Sequence, residues 1–573
     1  MRIRLKSLFA SGVILATVAA PPCLANARPG ELTLSGSYLA GRTASKLRDN
    51  DLASDYFTRA LRADADNPVL IERVFLLELS EGNIEAAEEF ATRALGFNSQ
   101  QRMARIVLGL RDFRNRLYGE ARRNFAAASY TPVGELTSAL LTAWSHAGQG
   151  NLAAALKALD KLDANESFAN FKSFHAALIA DHLGNSLRAE ASFKKAHDKA
   201  GNSLRVIQAY GNFLSRNGRI GEAETLYNAF LGSGDNNPLI VAALAEARAG
   251  KVPAPFIATP GAGAAESLFS LATAMTDEQS IDVGLLYSQL ALSFNADRPV
   301  VLTLLGDIYE DIKRPSKAIE AYAQVPETSP LRANADMEIA INLQRLERKD
   351  EALAKLQAVI LREPKNYDAL VTLGNIHRNN EDFAKAAEAY TKAIDLLAAP
   401  KAENWRVFYY SGISHERLKI WDKAEKLFRR ALELSPDEAM VLNYLGYSMV
   451  EQKINLQEAL AMIKKAVDLK PNDGYIVDSL GWAYFQLGDY EQALINCERA
   501  VELLPADPVI GEHLGDVYWR VDRKLEARFQ WQHARDNKPE PADLARIEEK
   551  LKNGLPEVAP VTPALNGATG NNG

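Results

Sequence analysis

GYIVDSLGWAYFQLGDYEQALINCERAVELLPAD, residues 474–507, is followed at once by PVIGEHLGDVYWRVDRKLEARFQWQHARDNKPE, residues 508–540. Laid one over the other, Leu480-Gly481 falls on Leu514-Gly515, Tyr484 on Tyr518, Ala493 on Ala527, Ala500 on Ala534 and Pro505 on Pro539, always 34 residues apart. A fixed period of this size marks a repeat array. In each line the apolar residues recur at helical spacing in two blocks, broken near Gly488-Asp489 and Asp522-Arg523. The unit is therefore helix A, a short turn and helix B. Gly481 and Ala493 are small because the two helices approach closely there. Ala500 lets helix B meet the next helix A, and Pro505 stops helix B. One pair cannot bury its apolar faces alone, so pairs must stack.

The frame can be walked along the chain with the residue at the Leu-Gly glycine position as a ruler. From Gly41 it gives Phe75, Gly109, Ala143, Ala177 and Gly211, each 34 residues on. Ala245 follows in PLIVAALAEARAG, but no helix B comes after it. Instead residues 251–263 read KVPAPFIATPGAG, with three prolines and two glycines. The frame restarts at Ala272 and continues through Gly306, Ala340, Gly374, Gly412, Gly446, Gly481 and Gly515. Four extra residues sit in LAAPKAENW and one near Ile454-Asn455. The pattern predicts an all-α fold, an α-α superhelix of about fourteen helix-turn-helix repeats in two lobes.

With their Leu-Gly, Tyr, Ala, aromatic, Ala and Pro positions, these lines resemble tetratricopeptide repeats. The fold-keeping positions in that reading include Gly306, Gly374, Gly412, Gly446, Gly481, Gly515, Ala493 and Ala527. The resulting division is a signal peptide over 1–27, an N-terminal lobe of about six and a half repeats over 28–249, a hinge or loop over 250–263, a C-terminal lobe of about eight repeats over 264–539, a capping helix over 540–555 and a disordered tail over 556–573.

The first residues, MRIRLKSLFASGVILATVAAPPCLANA, carry three cations, an apolar run from Leu8 to Ala20 and then Ala25-Asn26-Ala27. That is the layout of a secretory signal cleaved after Ala27. The run is short for a membrane span. Pro22 stands where a lipoprotein signal wants a small residue, which argues against a lipid on Cys23.

The whole chain has a net charge of −7. Without residues 1–27, which hold three cations and no acid, it is −10. An acidic array is ill matched to nucleic-acid phosphates or anionic lipid. Only Cys497 then remains, so stability must come from packing and not from a disulfide. It takes the large-residue slot of helix B, where a buried, inert thiol is expected.

No sequence motif calls for catalysis or a cofactor. The eight histidines form no HExxH and no Cys/His zinc pair. His377 and His415 take the helix A slot that is Tyr484 and Tyr518 elsewhere, a structural place. Glu512 and Asp516 are four residues apart on helix A and read as a solvated acidic face. GxSxG, P-loop and dinucleotide fingerprints are missing.

The resemblance implies that helix A lines the concave face of the superhelix and that places 2, 5, 9 and 12 of each unit read a ligand. The candidate partner-binding residues are Tyr409, Asn443, Tyr447, Tyr475, Asp478, Trp482, Phe485, Glu512, Asp516 and Trp519. Fold-keeping accounts for Leu480 and Tyr484 but not for Trp482 or Phe485. Large aromatics mixed with carboxylates at such places have the composition of a binding hot spot. The alternative is that Trp482 and Trp519 are covered by a neighbouring helix or by the cap. A variant of the family grips a C-terminal carboxylate with Lys, Asn and Arg. Here Asp478, Glu512 and Asp516 would repel it, and a neutral or basic, partly apolar segment fits better.

The run from Gly446 to Ala534, with LGYSMVEQ, DSLGWAYFQLG and EHLGDVYWR, is similar to exported proteobacterial repeat proteins of the cell envelope. The resemblance implies a non-enzymatic periplasmic scaffold or adaptor whose partners are other proteins, without nucleic acid or a membrane span, delivering substrates to an envelope protease. The alternative is an assembly factor for an outer-membrane or peptidoglycan complex. The oligomeric state is left open.

Overall fold

The computed structural model describes residues 33–201, 203–232, 236–294 and 298–557. The expected signal peptide and the expected tail beyond residue 557 lie outside the described residues. Among the described residues every regular element is a helix, and none of them is long and apolar enough to cross a membrane. The chain divides into two compact units, one ending at Pro364 and the other beginning at Lys365.

The turn between helix A and helix B carries the period in its backbone. A left-handed residue stands there at Arg48, Gly82, Arg116, Gly150, Gly184 and Gly218, then at Lys313, Glu347, Glu381, Lys419, Lys453, Gly488 and Asp522. Each lies seven residues past the ruler position. The four-residue and one-residue insertions read from the sequence appear as the same jumps in this series. Helix A is started by a capping side chain at many pairs, as at Asn67, Thr131, Asp473 and Asp507, three of them followed by proline. The ruler glycines meet a large helix B side chain: Gly41 faces Phe57, Gly109 Phe125, Gly211 Tyr227, Gly374 Tyr390, Gly412 Phe428 and Gly515 Trp531. Helix B therefore drives a ring into the gap that each glycine leaves.

Among the described residues the first unit opens with six pairs, from Leu34–Lys46 with Asn50–Ala63 to Leu204–Arg216 with Ile220–Gly232, followed by the unpaired helix Pro238–Arg248. Residues 251–259 follow without helix, and Pro260–Thr273 begins the next pair with Thr259 as its cap. The stretch expected as a hinge or loop over 250–263 includes the helix-free residues 251–259, and the chain beyond it packs back on earlier helices. Pro260–Thr273 lies on helices Pro132–Ala147 and Ala169–His182, and Ile281–Leu292 lies on Pro68–Ser80. The chain after the loop thus packs onto helix A surfaces of the pairs before it.

Nine residues of Pro260–Thr273 are buried, Gly263 to Phe269 in unbroken succession, as befits a helix surrounded on all sides. A Cβ on Gly263 would come within 2.3 Å of the Trp144 ring, so only glycine lets the two helices meet. Polar groups lock the return. Thr137 Oγ1 and Tyr287 Oη share a buried hydrogen bond of 2.9 Å, and Gln289 Nε2 donates to the Ser80 carbonyl at 3.0 Å. Arg314 and Lys317 pair with Glu81 at 2.8 and 3.0 Å, and Arg205 pairs with Glu266. Pairs Arg298–Asp311 with Pro315–Ala323 and Arg332–Arg345 with Lys349–Arg362 complete the unit.

The second unit holds five pairs, from Tyr367–Asn379 with Phe383–Asp395 to Pro508–Arg520 with Lys524–Asp536, and a final helix Pro541–Asn553. Cys497 is fully buried beneath Gly481, and burial pushes its thiol well above the ordinary range, so it is inert packing.

Candidate functional site

The candidate surface is the helix A face of the second unit. Helices Ala439–Gln452, Gly474–Leu487 and Pro508–Arg520 pack side by side there. The same repeat place, the fifth, is Asn443, Asp478 and Glu512 in turn.

The structure separates the ten candidate residues into three groups. Tyr409, Asn443 and Tyr447 are buried. Tyr409 stands edge-on to Tyr444 at 5.8 Å and packs on Phe428, which makes it core. Burial raises the Tyr409 and Tyr447 hydroxyls far above their usual titration.

Glu512, Asp516 and Trp519 form the second group, and here the sequence expectation is corrected. Glu512 and Asp516 are not a solvated acidic face, for both are buried. Arg546 grips Glu512 with two bonds of 2.6 and 2.5 Å, and Lys550 bridges Glu512 and Asp516 at 2.6 Å each. Trp531 Nε1 donates to the other oxygen of Asp516 at 2.9 Å. Burial pulls Glu512 upward, but Arg546 and Lys550 outweigh it and hold the carboxyl below its usual range. Asp516 is raised, because burial prevails over Lys550. Trp519 lies against Trp531, and Gly554, at a φ of +71°, rests directly on its indole. The final helix therefore closes the last repeat with its own cations and its own chain end, and these carboxylates do not attract a partner.

Tyr475, Asp478, Trp482 and Phe485 make the third group, on one helix. Tyr475 is 43% exposed and borders an open depression of about 510 Å³ lined by Lys470, Pro471, Asp473 and Leu504. Trp482 and Phe485 are half-buried and stack on each other with centroids 4.8 Å apart. Trp482 also lies flat on the His513 imidazole, and its Nε1 donates to Glu451 Oε1 at 2.7 Å. Tyr447 hydrogen-bonds the same carboxylate. His513 Nδ1 meets Asp478 Oδ2 at 2.9 Å, both groups buried. Burial alone would lower the imidazolium; Asp478, Glu512 and Asp516 around it hold it above its ordinary value.

Sequence reasoning missed His513 and Glu451 because neither stands at a ligand-reading place of its repeat. It missed Arg546 and Lys550 because a charged capping helix announces no particular target. Arg546 does lie 34 residues after Glu512, the period continued into the cap. Among the described residues no group of three or more His, Cys, Asp or Glu is arranged to hold a metal ion.

The repeat models that match the chain agree with this architecture. The tetratricopeptide-repeat family matches residues 35–67, 337–399, 409–474 and 477–507. A TPR repeat-containing protein of Pseudomonas aeruginosa, PA4667, is 28% identical over 193 residues, 33% of this chain and 31% of that protein. BBSome complex member BBS4 of Bos taurus is 30% identical over 109 residues, 19% of this chain and 20% of its own. The chain thus spans a third or less of these relatives. Among solved structures, the APC/C hetero-tetramer Cut9–Hcn1 aligns with 92% of this chain and 97% of its own at 14% identity and a TM-score of 0.38. YrrB, described as a TPR protein with an unusual peptide-binding site, covers 33% of this chain and 94% of its own at 20% identity and a TM-score of 0.28. Repeats of this kind serve protein–protein interaction. With the repeat signature matched in both units and stacked helix pairs running through each, this chain carries tetratricopeptide repeats in an all-α array.

Proposed function

We propose that this protein is an exported, non-enzymatic scaffold that holds a partner polypeptide on the helix A face of its second unit, around Tyr475, Trp482 and Phe485. The observation that carries the reading is a contrast within the chain. In the first unit, helices Pro68–Ser80, Pro132–Ala147 and Ala169–His182 are covered by the chain's own later helices, Pro260–Thr273 and Ile281–Leu292. Helix Gly474–Leu487 instead keeps one exposed and two half-buried aromatic rings, Tyr475, Trp482 and Phe485, with no later helix of the chain laid over them among the described residues. Such rings at the centre of a contact supply most of its energy.

The periplasm is the compartment proposed, on the charge and hydropathy pattern of residues 1–27. The adaptor role, bringing the bound segment to an envelope protease, rests on the resemblance of the last repeats. A second reading is an envelope assembly factor. It is favoured by the first unit, whose ion-paired closure through Arg314, Lys317 and Glu81 makes a rigid platform.

Co-purification from cells tests the scaffold. The wild type should bring down a defined protein from the osmotic-shock fraction, and Trp482→Ala with Phe485→Ala should lose it. Equal recovery by the double variant contradicts the assigned surface, and recovery only from the cytoplasm contradicts export.

A further inference from the structure

The depression beside Tyr475, about 510 Å³ and open to solvent, lies where the loop 470–473 meets the start of helix Gly474–Leu487. Its walls are fixed. Arg499 Nη2 donates to the Pro471 carbonyl at 3.0 Å and to Asn472 Oδ1 at 3.1 Å, which holds the loop. Leu504 packs directly on Gly474, for a Cβ there would come within 2.7 Å of its Cδ1. In the other four repeats of this unit the same place, seven residues before the ruler, is Tyr367, Trp405, Ala439 or Pro508, so only here does the helix start without a side chain. Tyr475 is 43% exposed, yet its hydroxyl hydrogen-bonds Asp507, so the ring is a held wall and not a free arm. Surfaces ordered before binding lose less entropy when a partner settles on them.

The charge around the depression has one free sign. Both aspartates are spent as helix caps: Asp473 accepts the Tyr475 and Ile476 amides at 3.1 and 3.4 Å, and Asp507 those of Val509 and Ile510 at 2.9 and 3.0 Å. Lys470 and Arg499 are exposed, and neither pairs with a carboxylate among the described residues. Glu512 and Asp516, the acids expected to favour a basic segment, are satisfied by the final helix. Tyr475 and Trp482 stand seven residues apart, two turns along one side of the helix, so the depression continues the aromatic surface.

We propose that this depression receives a leucine or aromatic side chain of the bound polypeptide, with an Asp or Glu beside it in that polypeptide paired to Lys470. The inference rests on the scaffold reading and narrows it. It also reverses the expected charge of the partner segment, from basic to acidic at this edge.

Panning random dodecapeptides displayed on phage against the full chain tests this. The selected peptides should share a Leu, Phe, Tyr or Trp within two positions of an Asp or Glu. Replacing that apolar residue by Ala should weaken binding about tenfold in fluorescence polarisation. Lys470→Glu should weaken it about fivefold at low salt and less at high salt, and a peptide with Lys in place of its acid should recover the loss. Lys423→Glu, an equal charge reversal on an exposed helix B residue of another repeat, should change nothing. With a benzophenone amino acid at its apolar position, the peptide should crosslink to residues 470–475 or to Leu504. Peptides that are lost with Trp482→Ala and Phe485→Ala, but bind Lys470→Glu as well as the wild type or crosslink elsewhere, overturn the depression and leave the scaffold standing. Peptides indifferent to all of these variants, or selection of none, overturn the scaffold reading and the depression with it.

Discussion

Trp482 lies flat against His513, with ring centroids 4.0 Å apart and planes 10° from parallel. The two residues belong to successive helix A segments, so their contact fastens one repeat to the next. His513 is held in its protonated form above its ordinary range by the carboxylates around it, so the stack has a cation on one side. A double-mutant cycle of Trp482→Ala and His513→Gln should give a coupling of about 0.5–1.5 kcal/mol in thermal unfolding at pH 6. The coupling belongs to the raised imidazolium. It should be full below about pH 6.5, the unfolded value, and fade as the pH rises through the folded one. A coupling that stays level to pH 9 would show that charge plays no part.

Gly481 sets the distance between helix A and helix B. A Cβ there would lie 2.4 Å from Cys497 Sγ and 3.0 Å from the Cys497 backbone nitrogen. Gly481→Val should therefore destabilise the second unit by about 1–3 kcal/mol. Calorimetry checks it, and an unchanged melting profile would refute the repeat alignment at its most regular point.

Gly184 isolates the backbone term. Its φ is +75°, and nothing lies within 4 Å of where a Cβ would be. Gly184→Ala should cost about 1–2 kcal/mol from the left-handed conformation alone. Arg48, Glu347 and Lys419 accept the same cost at the equivalent turn of their repeats, so Lys419→Gly should cause no loss of stability and can raise it.

Glu338 titrates high. Burial is the largest cause, with Glu310 and Asp307 adding to it against Arg345, and the carboxyl is raised to about 7 from 4.5. An acid raised on folding binds more protons in the native state. Its cost is absent below about pH 4.5, grows between there and pH 7, and is full above. Glu338→Gln should thus raise the melting temperature at pH 8, by about 1 kcal/mol of stability, and leave it unchanged at pH 4. A gain that is equal at both values would contradict the assignment.

The final helix is an electrostatic lid on the last repeat. Arg546→Ala with Lys550→Ala leaves Glu512 and Asp516 buried without their partners, a change of about 3 kcal/mol or more. Hydrogen exchange should show residues 541–553 and the Trp519 region losing protection while residues 405–469 keep theirs. Retained protection of the final helix would show that Ile547, Leu551 and Leu555 hold it without the ions.

The repeat was legible because it is written locally. Gly481 with Cys497 and Gly515 with Trp531 are contacts inside one pair, and the left-handed turn residues repeat the same spacing in the backbone. The return of the first unit onto itself was not legible. Its contacts join residues far apart, as Thr137 and Tyr287 are 150 positions apart, and nothing in either local pattern names the other. The prolines and glycines of 251–263 signal a break in helix and are silent about what the chain meets afterwards. At the candidate site, the aromatics of Gly474–Leu487 stood out because fold-keeping leaves them unexplained. The fate of Glu512 was hidden for a different reason. A carboxylate pair on a helix looks the same in sequence whether it faces water or an arginine brought over by the next helix.

The central claim is that a partner polypeptide is gripped at helix Gly474–Leu487. The most direct measurement is site-specific photo-crosslinking in living cells, with a benzophenone amino acid at Tyr475 and, separately, at Leu187 on the first unit, 87% exposed. The account predicts one defined protein adduct from position 475, lost when Trp482→Ala and Phe485→Ala are added, and none from position 187. An adduct at 187 and not at 475, or one at 475 that survives the loss of both rings, would contradict it.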